Sequence, residues 1–315
     1  MNPRALRRRL AQVVPVVLLA TFLVFGLLQL VPGDPAVTLA GESASVERIA
    51  EIRRVMGFDQ PLLLQYWRWL ANALQGNLAH SLFGGAPVAT LIAQKLPNTL
   101  LVVILALGLA MLVGIPLGVA AAVRTGSAAD ALVSLLAALG VAVPSFWLAM
   151  ILLSIFSLGL RWLPATGAVP LSVDAWQSLR HAILPAVALG ASGVAEVARQ
   201  LRGALTEVLQ SQYVRTLRAK GLGGASIFWK HGLRNAGVTL LTVIGLLFNR
   251  TLGATVVIEA VFAVPGIGSA MVQATVNKDF PVVQGVVLVM VLLVISTNLA
   301  IDALYALLDP RVRVQ

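Results

Sequence analysis

Asn98-Thr-Leu-Leu-Val-Val-Ile-Leu-Ala-Leu-Gly-Leu-Ala-Met-Leu-Val-Gly-Ile-Pro-Leu-Gly-Val-Ala-Ala-Ala-Val123 carries no charged side chain anywhere along its length. A hydrocarbon layer about 30 Å thick is crossed by about 20 apolar residues at 1.5 Å each. Lipid supplies no partners for peptide groups, so such a run has to satisfy its own backbone as a helix. The next stretch, Ala131 to Leu160, is also uncharged, and Pro144 in its middle predicts a kink. Working outward, four further stretches have the same character. Leu10 to Val31 and Val282 to Leu308 are strongly apolar, the latter uncharged until Asp302. His181 to Arg202 carries Glu196 and Arg199, and Asn235 to Phe262 carries Arg250 and Glu259. The expected fold class is an all-α polytopic membrane protein with six transmembrane helices.

Composition points the same way. Of 315 residues, 58% are hydrophobic and 11% charged, against roughly 25% charged in soluble domains. The apolar stretches recur over the whole chain, which predicts one spanning unit with no separate soluble domain. The net charge of +10 raises the question of nucleic acid, but the basic residues cluster between apolar runs. No basic strand interleaved with aromatic side chains is present to stack bases, so no nucleic-acid partner is expected. The absence of cysteine excludes disulfides, thiolate catalysis and thiolate metal sites. The basic flank Arg4, Arg7, Arg8 and Arg9 resembles the start of a signal peptide, but the apolar run behind it is too long, so a retained first helix is expected.

Charge asymmetry orients the helices. From Arg199 to Arg234 there are seven Lys and Arg residues, and the loop 263–281 holds one, Lys278. Basic loops stay on the cytoplasmic side. The predicted organisation is a cytoplasmic N-terminus (1–9), a first helix (10–31) and an external loop (32–97). A five-helix core (98–308) with a cytoplasmic loop (203–234) follows, then a cytoplasmic tail (309–315). In the external loop, Val31-Pro32-Gly33-Asp34-Pro35 predicts a helix stop, and Ser45 to Met56 and Leu62 to Leu74 predict two short helices. Tyr66, Trp67 and Trp69 suit a bilayer interface, with an aromatic substrate box as the alternative.

The loop between the fourth and fifth helices holds Gln212-Tyr213-Val214-Arg215-Thr216-Leu217-Arg218-Ala219-Lys220-Gly221-Leu222, then Trp229-Lys230-His231-Gly232-Leu233-Arg234-Asn235-Ala236. Ser211 to Lys220 has good helix formers and no breaker, and Gly221 supplies a C-terminal stop. A rigid basic knob of this kind can enter a cleft on a cytosolic partner. The plainer reading is a basic loop that only anchors topology.

This loop resembles the EAA-type motif of binding-protein-dependent ABC importer permeases, in the dipeptide/oligopeptide/nickel branch. Arg215, Thr216, Leu217 and Gly221 take the places of Glu-Ala-Ala and the following glycine. The general motif ends in Ile-x-Leu-Pro where this chain has His231-Gly232-Leu233-Arg234, and the branch usually has alanine at Leu217. Pro32-Gly33-Asp34-Pro35, Leu96-Pro97-Asn98-Thr99, Glu259-Ala260-Val261-Phe262 with Pro265-Gly266-Ile267-Gly268, Asp302-Ala303-Leu304-Tyr305 and Asp309-Pro310-Arg311-Val312 are similar to that branch in the same order.

The resemblance implies a permease of the bacterial inner membrane, forming half of a pathway for peptides or related solutes. Its implied partners are a second permease, two cytosolic ATPases and an external solute-binding protein. The chain lacks G-x-x-x-x-G-K-[ST], so it is not expected to be an enzyme or to bind a cofactor, and ATP and magnesium belong to the ATPases. The alternative is a channel or an ion-coupled secondary transporter, which would be favoured by an inverted repeat or paired intramembrane carboxylates. By resemblance, the coupling residues are Tyr213, Arg215, Thr216, Leu217, Arg218, Lys220 and Gly221. Arg250, Glu259 and Asn298 are candidates for the pathway or its gate, the first two because ionisable groups in spans are functional by default; for Asn298, a hydrogen bond across helices with no contact to substrate is the alternative. For Arg250 a cargo carboxylate and a structural partner on the second permease stay open. Glu196 and Asp302, each about six residues from a cytoplasmic end, are expected to snorkel.

Overall fold

The computed structural model describes residues 3–30, 33–41 and 44–308. The expected helix stop at Val31-Pro32 and the tail 309–315 lie outside them. In chain order the helices are α1 (Pro3–Leu30), α2 (Pro35–Ala40), α3 (Val46–Met56), α4 (Leu62–Leu74), α5 (Val88–Val123), α6 (Ala128–Ala142), α7 (Ser145–Leu152) and α8 (Ala175–Gln210). They continue with α9 (Gln212–Ala219), α10 (Gly224–Ser226), α11 (Leu233–Val261), α12 (Ile267–Val276) and α13 (Phe280–Leu308). π-Helical turns, Leu153–Gly159 and Ile227–Gly232, extend α7 and lead into α11. No strand forms among the described residues; His80 and Pro87 share an isolated bridge. Among the described residues, five helices are long and apolar enough to cross a membrane, and six crossings result when the bent pair α6 and α7 is taken as one.

These residues form two compact units, one containing Asn98–Val264 and the chain from Ser296, the other Leu6–Pro97 and Pro265–Ile295. In the second unit the two short helices form where the loop predicts them. Ser45 caps α3 by accepting from Arg48 N, Glu47 sits in its first turn, Arg53 and Arg54 in its last, and Gly57 ends it at φ 72°. These charges complement the helix dipole. Hydrogen bonding to the backbone N–H of Glu47 and to Ser45 holds the Glu47 carboxyl below its usual range. On α4, Tyr66, Trp69 and Leu70 lie on one face and are buried against Phe25 of α1. The Tyr66 hydroxyl donates to Leu18 O at 3.1 Å, and its ring meets Phe22 and Phe25 edge-on. The expected aromatic belt is therefore corrected for Tyr66 and Trp69, which face protein because a 3.6-residue period puts them on α4's buried side. Trp67, on the other side, is exposed.

The first unit is organised by α5 and α8. A β-carbon added to Gly190 would stand 2.7 Å from Ala106 O, one on Gly114 2.8 Å from Val194 O, and one on Gly118 2.8 Å from Ala198 O. Only the missing side chains let the backbones approach so closely, as in many membrane helix pairs. The contacts advance from Ala106 and Gly190 to Gly118 and Ala198, so the two helices run parallel. The chain between them must return along the bundle, and α6 with α7 makes that return. The expected kink is larger than a kink: α6 and α7 meet at 94°. Pro144 forces its predecessor out of the helical region, so Val143 is extended at φ −79° and ψ 120°, followed by Pro144 at ψ 134°. Two consecutive non-helical residues swing the chain where one missing hydrogen bond would only bend it. Val102, Ala106, Leu189, Ile258 and Phe262 are the core of this unit.

Helix α5 begins at Val88, ahead of the uncharged run, so the last ten residues of the expected loop 32–97 are helical. Hydropathy marked where the helix becomes apolar, which is not where its hydrogen bonds begin.

Candidate functional site

The end of the bundle where α5 and α8 finish and α11 begins carries the knob. Ser211 makes the corner: its hydroxyl donates to Val208 O at 2.7 Å, at the end of α8, and accepts from Val214 N at 3.4 Å, capping α9. Val214 is fully buried and Leu217 half-buried, which pins one face of α9 and leaves Tyr213, Arg215, Thr216, Arg218 and Lys220 exposed on the rest. Gly221 terminates the helix at φ 82°, donating to Arg218 O at 2.9 Å, and Leu222 N donates to Leu217 O at 3.2 Å. This double closure satisfies the last carbonyls and needs a left-handed residue where glycine stands. The seven residues expected to couple thus lie together on one short helix and its stop.

The return segment braces the knob. Tyr213 OH lies 2.8 Å from His231 Nδ1, with the rings edge to face, and Asn235 Nδ2 donates to His231 O at 2.8 Å. The His231 brace was not foreseen, because eighteen residues separate the partners and only the π-helical turn Ile227–Gly232 brings the imidazole round. Arg215 and Arg218 line a cavity of about 850 Å³ between α9 and the ends of α5 and α8. Nearby, Arg202 on α8 holds Asp130 at the start of α6 through Nε and Nη2, the latter at 2.8 Å, and Gly126 N adds a bond at 2.9 Å. Sequence reading passed over this pair; an acid beside a predicted helix start was its only mark.

The three pathway candidates have different partners. Arg250 Nη1 donates to Glu196 Oε2 at 3.1 Å, joining α11 to α8. Within this chain Arg250 therefore meets a carboxylate of α8, and the expected snorkelling of Glu196 is corrected, because its carboxylate turns to Arg250 and α8 continues fourteen residues beyond it to Gln210. Asn298 on α13 accepts from Asn249 Nδ2 at 3.3 Å. Glu259 is fully buried and accepts from Thr99 Oγ1 at 2.5 Å, tying α11 to α5.

Among the described residues, a helical bundle with five or six apolar helices long enough to cross a membrane, a capped basic knob between two of them and polar groups within the spans has the build of a membrane transport subunit. The chain belongs to the family described as binding-protein-dependent transport system inner membrane component, which it matches over residues 114–314, and residues 3–103 match that family's N-terminal membrane component. It is 42% identical over 306 residues to a putative peptide transport system permease protein of Brucella abortus, covering 97% of this chain and 98% of that one. Over the same length it is 40% identical to the glutathione transport system permease protein GsiC of Salmonella typhimurium, covering 97% of each. Among solved structures, a chain of the inward-facing MetNI methionine ABC transporter matches with a TM-score of 0.55 at 20% identity, over 70% of this chain and 96% of that one. The importer permease expected from the motifs is the function of this chain, in place of the channel or ion-coupled alternative.

Proposed function

We propose that this permease imports short peptides, or peptide-like solutes such as glutathione, delivered by an external binding protein and driven by two cytosolic ATPases. The observation that carries this reading is the 42% identity, along nearly the whole chain, to a peptide permease. It sits in the inner membrane beside a second, similar permease, with both termini and α9 cytoplasmic, an orientation supported by the seven basic residues from Arg199 to Arg234.

In this reading α9 is the coupling element. Its buried Val214 and the Gly221 stop make it move with α8 and α11 as one body, so displacement of the knob by ATPase closure is carried into the spans. Arg215, Arg218 and Lys220 supply positive charge to the ATPase cleft. Arg250 and Asn298 line the pathway. Glu259 acts at its gate through the α5–α11 packing it fixes, its carboxylate being sealed against Thr99.

The test is reconstitution of the chain with its sister permease, ATPases and binding protein in proteoliposomes. Uptake of a labelled tripeptide or glutathione should require ATP, magnesium and the binding protein together. ATP-dependent uptake of an unrelated solute, with neither peptide nor glutathione carried, would refute the cargo. Failure of the ATPases to co-purify with the chain would refute the coupling scheme.

A further inference from the structure

The 94° break between α6 and α7 leaves space inside the bundle. A cavity of about 350 Å³ opens there, walled by the break itself and by one face each of α8 and α11. Its polar lining is Ser145, Ser192, Thr251 and Arg250, set against apolar walls such as Phe146 and Leu247. The spacing is regular. Leu247, Arg250, Thr251 and Ala254 form one stripe of α11, and Glu196 lies one turn beyond Ser192 on the same face of α8. Arg250 stands eleven residues before the end of α11 at Val261, about 17 Å into the helix. The cavity is therefore an intramembrane feature.

Two observations give it a chemistry. The Arg250 side chain is 59% exposed although it stands in a span, and a guanidinium at that depth faces water or a protein partner, because lipid penalises its charge. Its ion pair with Glu196 is made by Nη1 at 3.1 Å, whereas the guanidinium fork has five donors and fits a carboxylate with two parallel bonds. The resident partner engages it by one edge, so an incoming carboxylate can take the other or replace Glu196. The volume lies at the small end of ligand cavities, which suits one end of a peptide. The hydroxyls of Ser145, Ser192 and Thr251 can meet its last amide groups, and Phe146 and Leu247 its terminal side chain.

We infer that the cavity at the α6–α7 break is a transit site for the C-terminal carboxylate of the cargo, with Arg250 as its anchor and Glu196 as the group that competes for Arg250 when the site is empty. The inference rests on the peptide-import reading and adds a specificity: cargo with a free carboxylate is held in the membrane, and cargo with an amidated terminus is not.

The chain has no cysteine, so a single thiol from Ser145→Cys reports on the cavity. The assembled permease–ATPase complex, without binding protein and in nanodiscs, is labelled with a small maleimide, and modification is read on this chain's own peptide. A tripeptide free acid at millimolar concentration should slow labelling about tenfold or more, and the same tripeptide amide less than about twofold, the difference expected of one charge-assisted contact. Arg250→Gln should abolish that difference and Arg250→Lys should keep part of it. Arg199→Gln, which removes a span charge outside the cavity, should leave it intact. Co-purification of the ATPases shows that each variant is assembled. Equal protection by acid and amide, no protection by either, or full discrimination in Arg250→Gln overturns the inference. Peptide uptake by the reconstituted importer is measured beside it. Uptake without protection removes the transit site alone, and a complex that imports no peptide removes the import reading and the transit site together.

Discussion

The seat of Gly190 against the α5 backbone sets a quantitative test. In Gly190→Ala the new β-carbon would lie 2.7 Å from Ala106 O, 3.2 Å from Ala106 Cα and 3.3 Å from Ala106 C. All three are backbone atoms of α5, so no rotamer change relieves them and α8 has to retreat by roughly half an ångström or more to reach ordinary contact. Overpacking of this kind costs about 1–3 kcal/mol, and the upper half applies because the obstacle is main chain. Against that, replacing a helical glycine by alanine gains about 1 kcal/mol from backbone entropy. The net expectation is a loss of about 1–2 kcal/mol. Gly203→Ala, on the same helix, meets nothing within 4 Å and should show only the gain. The two alanine variants should therefore differ by about 2–3 kcal/mol, or at least about 4 °C in the melting temperature of the purified complex. The assay is thermal unfolding in detergent at matched subunit ratios. Equal melting temperatures for the two variants would refute the parallel, glycine-mediated packing of α5 on α8.

Further tests address the coupling end and the topology. Gly221→Val places a β-branched residue at φ 82°, where a side chain costs about 1–2 kcal/mol. ATPase co-purification or transport should fall while insertion of the spans is retained, and wild-type values of both would leave the loop as a topology anchor. Arg215→Glu and Arg218→Glu reverse the charge offered to the ATPase and should uncouple transport without affecting binding-protein docking; unchanged coupling would show that the cleft does not read this charge. Asp130→Asn and Arg202→Gln remove partners of one bidentate pair, so the double variant should lose markedly less thermal stability than the sum of the single losses; strict additivity would deny the pair. A cysteine at Ser45 should react with an impermeant thiol reagent in intact cells and one at Ala225 only after permeabilisation, and the reverse pattern would invert the proposed orientation.

Some of this was fixed by composition and local rules. Long uncharged runs have to be helices in lipid, so Asn98 to Val123 declared a span without any tertiary contact. Ser45, Gly57, Ser211 and Gly221 act on hydrogen bonds within four or five residues of themselves, and α3 and α9 accordingly begin and end where those residues predict. The knob was legible because its unbroken run of helix formers and its glycine stop are local, whereas the burial of Val214 that pins it was not.

What sequence could not supply was decided across distance. Pro144 announced a bend, but its size of 94° depends on Val143 also leaving the helix, and the cavity it opens exists only because α8 and α11 pass that point. Whether a charge in a span snorkels, faces cargo or is paired depends on which helix turns a carboxylate toward it. Glu196 and Arg250 are fifty-four residues apart, as Glu259 and Thr99 are a hundred and sixty, and hydropathy weighs each such residue alone. The α6–α7 break, the helix pairing and the placement of these charges were settled by packing, because the glycines that let α5 and α8 touch mean nothing until the backbones they admit are side by side.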